Sequence, residues 1–104
     1  MNTYQDVIDL LRQHNVLANW TDGQIVTQIE DSIRQSLLAY TVSDNTITGI
    51  CFGYWKTPKV IHVVAIAGKD SLQTFINYVA DVFPWVRDLS AQRYSRELNF
   101  QIKK

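Results

Sequence analysis

Lys59 to Ala67 reads KVIHVVAIA, and Gly68-Lys69-Asp70-Ser71 follows at once. From Val60 onward the run is rich in Val and Ile and polar only at His62. A strand apolar on both faces is central in its sheet, with other elements packed on each side. The Gly-Lys-Asp-Ser break ends it, and Asp70 or Ser71 can cap a helix there. Leu72, Phe75, Ile76, Val79 and Phe83 then recur at helical spacing. Pro84 stops the pattern, because proline disfavours helix in the residue before it. Trp85 to Gln92 reads as the next strand. Glu97 to Ile102 alternates like a final edge strand.

Upstream, Leu37 to Val42 and Ile47 to Trp55 are short apolar runs separated by Ser43-Asp44-Asn45-Thr46. Asp and Asn tolerate left-handed backbone and bond locally, so this is a hairpin signal. Gly49 and Gly53 mark a bulge or a close backbone approach in the second run. Thr57-Pro58 forms the next turn. Two helices precede the hairpin. Thr3 caps the first, whose stripe is Tyr4, Val7, Ile8 and Leu11. Thr21 caps the second, with Gln24 in the capping-box position and Ile25, Val26, Ile29, Ile33 and Leu37 repeating behind it. The order is helix, helix, strand, strand, strand, helix, strand, strand. It predicts an α/β (α+β) domain spanning 1–104. Its mixed, mostly antiparallel sheet has about five strands, two N-terminal helices and one crossover helix.

The chain has 104 residues, 46% of them hydrophobic and 19% charged, which suits a packed core and excludes a disordered chain. A single cysteine, Cys51, excludes an internal disulfide framework and a cysteine-rich zinc site. Ten basic and ten acidic residues cancel, so whole-surface attraction to nucleic acid or an anionic membrane is excluded. Charge is nonetheless uneven, with net −4 over residues 1–50 and +3 over 85–104. No apolar run reaches 18 residues, and Asp6, Asp9 and Arg12 break up the first 20. The expectation is a cytoplasmic protein without membrane span or secretory signal.

The element order and its joints resemble the GNAT acetyltransferase superfamily. The matching features are the Trp20-Thr21-Asp22 helix start and the hairpin LLAYTVSDNTITGICFGYW with its Ile47-Thr48-Gly49. Val60 to Ala67 matches the family's fourth strand, Leu72 to Phe83 its long helix, and Val86 to Gln92 its fifth strand. The likeness covers roughly residues 4–93 and rests on pattern more than identity. It implies that amides of the fourth strand, Val63, Val64, Ala65 and Ile66, would hold the pantetheine of acetyl coenzyme A. Gly68 and Lys69, with the helix N-terminus behind them, would hold its phosphates. The turn departs from the family's pattern. Later glycines are absent, and Asp70 puts negative charge where a diphosphate would sit. The family's further helix and strands are missing too, so Tyr94 is the one tyrosine near the place of its general acid. No Asp or Glu lies between Lys59 and Gly68, which leaves His62 as the one candidate base.

Other constellations are weaker. No serine lies in a Gly-x-Ser-x-Gly elbow, no histidine pair has metal-ligand spacing, and no nucleotide-binding glycine pattern occurs. Cys51 reads as a buried small hydrophobe. Tyr54 and Trp55 with Lys56 and Lys59 suggest an aromatic and basic lip. Arg87, Arg93 and Arg96, with Lys103 and Lys104, suggest a basic edge, with Arg87, Leu89, Ala91 and Arg93 on one strand face. Both suit a protein partner, a homodimer included, better than nucleic acid. The favoured reading is a catalytically degenerate GNAT-like module that binds another protein and requires no cofactor. Small chains of this shape suggest a phage-encoded accessory protein. The alternative is an acetyl-coenzyme-A-dependent N-acetyltransferase acting on an amine.

Overall fold

A computed structural model describes residues 4–93 and 96–102, with side chains for 4–91 and 102. The elements are α1 (Tyr4–Gln13), α2 (Asp22–Arg34), β1 (Leu38–Ser43), β2 (Thr46–Thr57), β3 (Val60–Gly68), α3 (Ser71–Val82), β4 (Asp88–Arg93) and β5 (Arg96–Gln101). The strands form one mixed sheet in the order β1-β2-β3-β4-β5. Only β3 and β4, joined through α3, run parallel. The protein is therefore α+β, and the KVIHVVAIA run is an interior strand as its two apolar faces require.

The N-terminal pair is built by local bonds. The predicted cap Thr3 lies outside the described residues, and α1 buries Val7, Ile8, Leu10 and Leu11. The capping box of α2 forms as read. Gln24 N–H donates to Thr21 Oγ1 (3.2 Å), and Thr21 N–H donates to Gln24 Oε1 (2.8 Å). Between the helices, Asn15 and Leu17 hold positive φ of 56° and 55°. Arg12 fixes this link by donating to the carbonyls of Leu17 (3.1 Å) and Trp20 (2.7 Å) and to Asp22 (3.0 Å). A leucine with left-handed backbone persists only when its surroundings over-determine it, and Arg12 supplies that hold.

The sheet separates two cores. On one face α1 and α2 pack Leu11, Ile25 and Ile29 against Ile50, Phe52, Ala65 and Ala67. On the other, α3 packs Phe75 and Val79 against Cys51, Ile61, Val63, Leu89 and Ala91. β3 serves both because its register with β2 shifts between Phe52 and Gly53, where Ala65 and then Val63 are the partners and Val64 is the extra residue. An extra residue reverses the alternation, so Ile61 and Val63 face α3 while Ala65 and Ala67 face α1 and α2.

Two expectations are corrected. The strand read from Trp85 begins only at Asp88. Val86 N–H closes a turn on the Phe83 carbonyl (3.0 Å), and the Trp85 indole N–H donates to the Pro58 carbonyl (3.2 Å). That contact holds Trp85 against the β2–β3 turn. Arg87 is therefore not on the strand and does not share the face of Leu89 and Ala91.

The α2–sheet joint makes one strong demand. Ser32 is fully buried, donates to the Gly53 carbonyl (2.6 Å) and accepts from Gln28 (3.2 Å). Ser32→Ala leaves that carbonyl without its partner, so stability should fall by about 1–3 kcal/mol. Thermal denaturation should show Tm lower by roughly 4–8 °C for each kcal/mol lost. An unchanged Tm would mean that the bond contributes nothing.

Candidate functional site

β3 and β4 share a short parallel ladder: Val60↔Asp88, Ile61↔Leu89, His62↔Ser90 and Val63↔Ala91. Past the unmatched Val64, β3 runs on through Ala65–Gly68 paired with β2 alone. Its edge toward β4 thus has no strand partner among the described residues along the stretch that leads into α3. The four residues named for pantetheine straddle the opening, with Val63 in the last pair and Val64, Ala65 and Ile66 beyond it. Gly68 and Lys69 follow in the turn.

That turn is shaped by packing. Gly68 has φ of 87°, and a Cβ there would overlap the Thr48 carbonyl oxygen and the Gly49 Cα. Its register partner Gly49 is confined as well, since a Cβ there would crowd Thr41 Oγ1 and the Lys69 carbonyl. Lys69 is exposed. Asp70 occupies the N-cap of α3 with φ of 60° and makes no side-chain cap bond. The expectation that Asp70 or Ser71 caps the helix by its side chain is corrected. Asp70 stands at the cap position with left-handed backbone and no side-chain bond to the amides, and the Ser71 hydroxyl donates back to the Gly68 carbonyl (3.1 Å).

His62 is half-buried on the paired half of β3. Its Nδ1 lies 2.9 Å from Ser90 Oγ, and its ring meets Tyr54 at 5.2 Å. Ser90 is only 1% exposed, so its hydroxyl is a partner for the imidazole and is closed to substrate. The sequence reading missed Ser90. Its signal was the alternation of polar Asp88, Ser90 and Gln92 with apolar Leu89 and Ala91, but only the register shows that Ser90 sits beside His62.

The aromatic lip does not form. Adjacent strand residues point to opposite faces. Tyr54 goes to His62, whereas Trp55 packs edge-on against Phe83 at 5.1 Å. Phe83 in turn meets Tyr78 and Trp85 edge-on. Trp55 therefore belongs to an aromatic cluster over the end of α3. Lys56 is exposed at the end of β2. The basic edge is divided as well. Arg87 is exposed and its carbonyl accepts from Ile102 N–H (2.8 Å). Arg93 and Arg96 are register partners across β4 and β5. Their side chains, and Tyr94 entirely, lie outside the described residues.

The described residues enclose open clefts at two places away from β3. One of about 380 Å³ lies between α1 and the β1–β2 turn, lined by Asp6, Asp9 and Asn45. The other, about 550 Å³, lies beside Trp20 and Gln24 at the start of α2. Neither reaches β3 or β4. Among the described residues no group of three His, Cys, Asp or Glu is placed to hold a metal ion. No described helix is long and apolar enough to cross a membrane. Burial pushes the Cys51 thiol well above its ordinary range. No protein-family model matches the chain, and no curated protein or solved structure matches it either.

Gly68→Ala should cost at least about 2 kcal/mol in urea unfolding without any ligand, because strain and overlap are both intrinsic to the fold. Retained stability would show that the glycine serves something other than packing. Cys51 sets a pH dependence. Its folded pKa is raised, so the unfolded chain loses the proton first. The thiol's contribution is then complete below about pH 8.5 and shrinks as pH rises, by up to about 1.4 kcal/mol per pH unit. The stability difference between wild type and Cys51→Ala should narrow above that pH. A constant difference from pH 7 to 10 would contradict the burial assignment.

Proposed function

We propose that the chain is a small GNAT-like scaffold that has lost acetyl transfer and acts as a protein-binding accessory module. The observation that supports this most is the free edge of Val64–Gly68 beside parallel β4. An extended peptide can add to such an edge through main-chain hydrogen bonds, with no dedicated catalytic groups. The chemistry that acetyl transfer needs has poor support. His62 sits on the paired half of β3 and bonds Ser90. Gly68 meets a packing demand, and Asp70 brings a carboxylate to the turn where phosphates would bind. β5 pairs directly back on β4 from Arg96, where the family would place a further helix. A cytoplasmic setting goes with this reading, since one buried free thiol needs no oxidising compartment. So does the phage-accessory role that the resemblance suggests.

The same edge favours one second reading, the acetyl-coenzyme-A-dependent N-acetyltransferase. Val63 to Ile66 would then hold pantetheine. The amides that open α3, which lack a side-chain cap, would meet phosphate with Gly68 and Lys69. His62 and Tyr94 would be the base and the acid.

Calorimetric titration separates the two. Acetyl coenzyme A up to about 1 mM should give no binding heat, which places any Kd weaker than that concentration. Amide hydrogen exchange in the free protein should show Val64–Gly68 less protected than Ile61–Val63. Micromolar binding that slows exchange at Val64–Gly68 would overturn the first reading in favour of the transferase. Uniform protection along β3 would remove the free edge on which both depend.

A further inference from the structure

The sheet has two outer strands, and they differ in how they are guarded. β5 (RELNFQ) carries Arg96 and Glu97. β1 (LAYTVS) has no charge and no proline. Natural edge strands are ordinarily blunted by charge, proline or a bulge, because an unprotected edge pairs with another chain. A register shift does occur at Thr41/Val42, but the unpaired residue is Thr48 on β2, so the outward side of β1 stays regular. α2 packs on one face of β1 and α3 on the other, and among the described residues nothing pairs with its outer edge. Beside that edge lie exposed apolar groups, Tyr40 (54%) and Val42 (46%) on the strand and Ile33 (50%) in the last turn of α2. Tyr40 pairs in register with Ile50, a member of the core beneath α1 and α2. It therefore stands on the same sheet face as α2 and Ile33.

We infer that the outer edge of β1 is a homodimer contact, where a second copy of this chain pairs antiparallel, β1 to β1, and continues the sheet across a two-fold axis. The second copy is the occupant that the strand's own chemistry selects. A strand paired antiparallel with itself makes an isologous contact, so each donor row meets an acceptor row and the assembly closes at two. An uncharged strand meets its copy with no like charges opposed, and the chain's formal net charge of zero adds no repulsion between copies. Tyr40 and Val42 would be covered by their counterparts. This contact is separate from the inner edge at Val64–Gly68 and does not depend on what binds there.

Sedimentation velocity on the purified chain tests it. Over roughly 10 μM to 1 mM, where so small an interface would be partly associated, the weight-average mass should rise toward twice that of the monomer and stop there. Tyr40→Lys combined with Val42→Lys places like charges across the two-fold and should weaken association by at least about tenfold. Both side chains are exposed, so the far-UV circular dichroism should be unchanged. Val82→Lys alters an exposed apolar residue near the end of α3, off the β1 strand itself, and should leave association as in wild type. Three results would each overturn the inference: a monomer throughout the range, association that grows past two, or loss of association equally in the Val82→Lys protein. If the double variant misfolds, Thr41→Cys gives a second test. Oxidation should then yield a covalent dimer, since Cys51 is buried and the new thiols lie near the axis. A failure to cross-link at 1 mM would count against the pairing.

Discussion

The structure turns on one extra residue. Val64 has no partner on β2, and everything around it follows from that. Before it, Ile61 and Val63 feed the core beneath α3; after it, Ala65 and Ala67 feed the core beneath α1 and α2. A strand without the bulge would turn its alanines to the wrong helix. The bulge needs Gly53 opposite it, because a Cβ there would overlap the His62 carbonyl. Ser32 then holds the Gly53 carbonyl from α2. A bulge also bends its strand and sharpens the local twist. The parallel ladder with β4 ends at Val63↔Ala91, one residue before Val64. The device that lets one strand serve two cores thus coincides with the place where the sheet opens.

A second constraint sits at the far end of the same strand. Neither Gly49 nor its register partner Gly68 accepts a side chain: a Cβ on Gly68 would overlap the Thr48–Gly49 backbone, and one on Gly49 would crowd Thr41 Oγ1 and the Lys69 carbonyl. This crowding sets where β3 ends. The positive φ of Gly68 and Asp70 then turns the chain into α3 within two residues. Helix N-termini welcome anions through unpaired amides and the helix dipole. Here the amides are not capped by a side chain, but the sole glycine in the turn answers to β2, and the residue after Lys69 is an acid. Local chemistry therefore pulls in two directions, and packing accounts for the glycine without a ligand.

Sequence made the central strand legible because burial on both faces leaves a continuous Val/Ile run that no edge strand needs. The α2 cap was legible because Thr21 and Gln24 recognise each other across three residues. What escaped was whatever depends on the partner strand. Gly68 looked like a phosphate glycine, since a close approach to Gly49 has no signature along the chain. Tyr54 and Trp55 looked like a pair because they are neighbours, although strand alternation sends one to His62 and the other to Phe83. Asp70 was read as a side-chain cap because its residue type is right, whereas its backbone is left-handed and its carboxylate makes no cap bond. Ser90 was passed over because a serine in a polar-apolar alternation is unremarkable until His62 lies beside it.

The two unpaired edges differ in what they can accept. The inner edge at Val64–Gly68 has β2 on one side and, on the other, lies past the last β3–β4 pair, Val63↔Ala91. A ligand there must be narrow and extended, and it must satisfy main-chain groups before it gains anything from side chains. The outer edge of β1 has no such wall and can receive a whole folded sheet. Antiparallel addition at β1 leaves β3 untouched, because β2 stands between them in the strand order. A self-paired protein would therefore keep its inner edge free in both copies. Two weak peptide contacts in one assembly raise the effective concentration for the second once the first is made. That route to useful affinity needs nothing beyond the backbone geometry of β1 and β3.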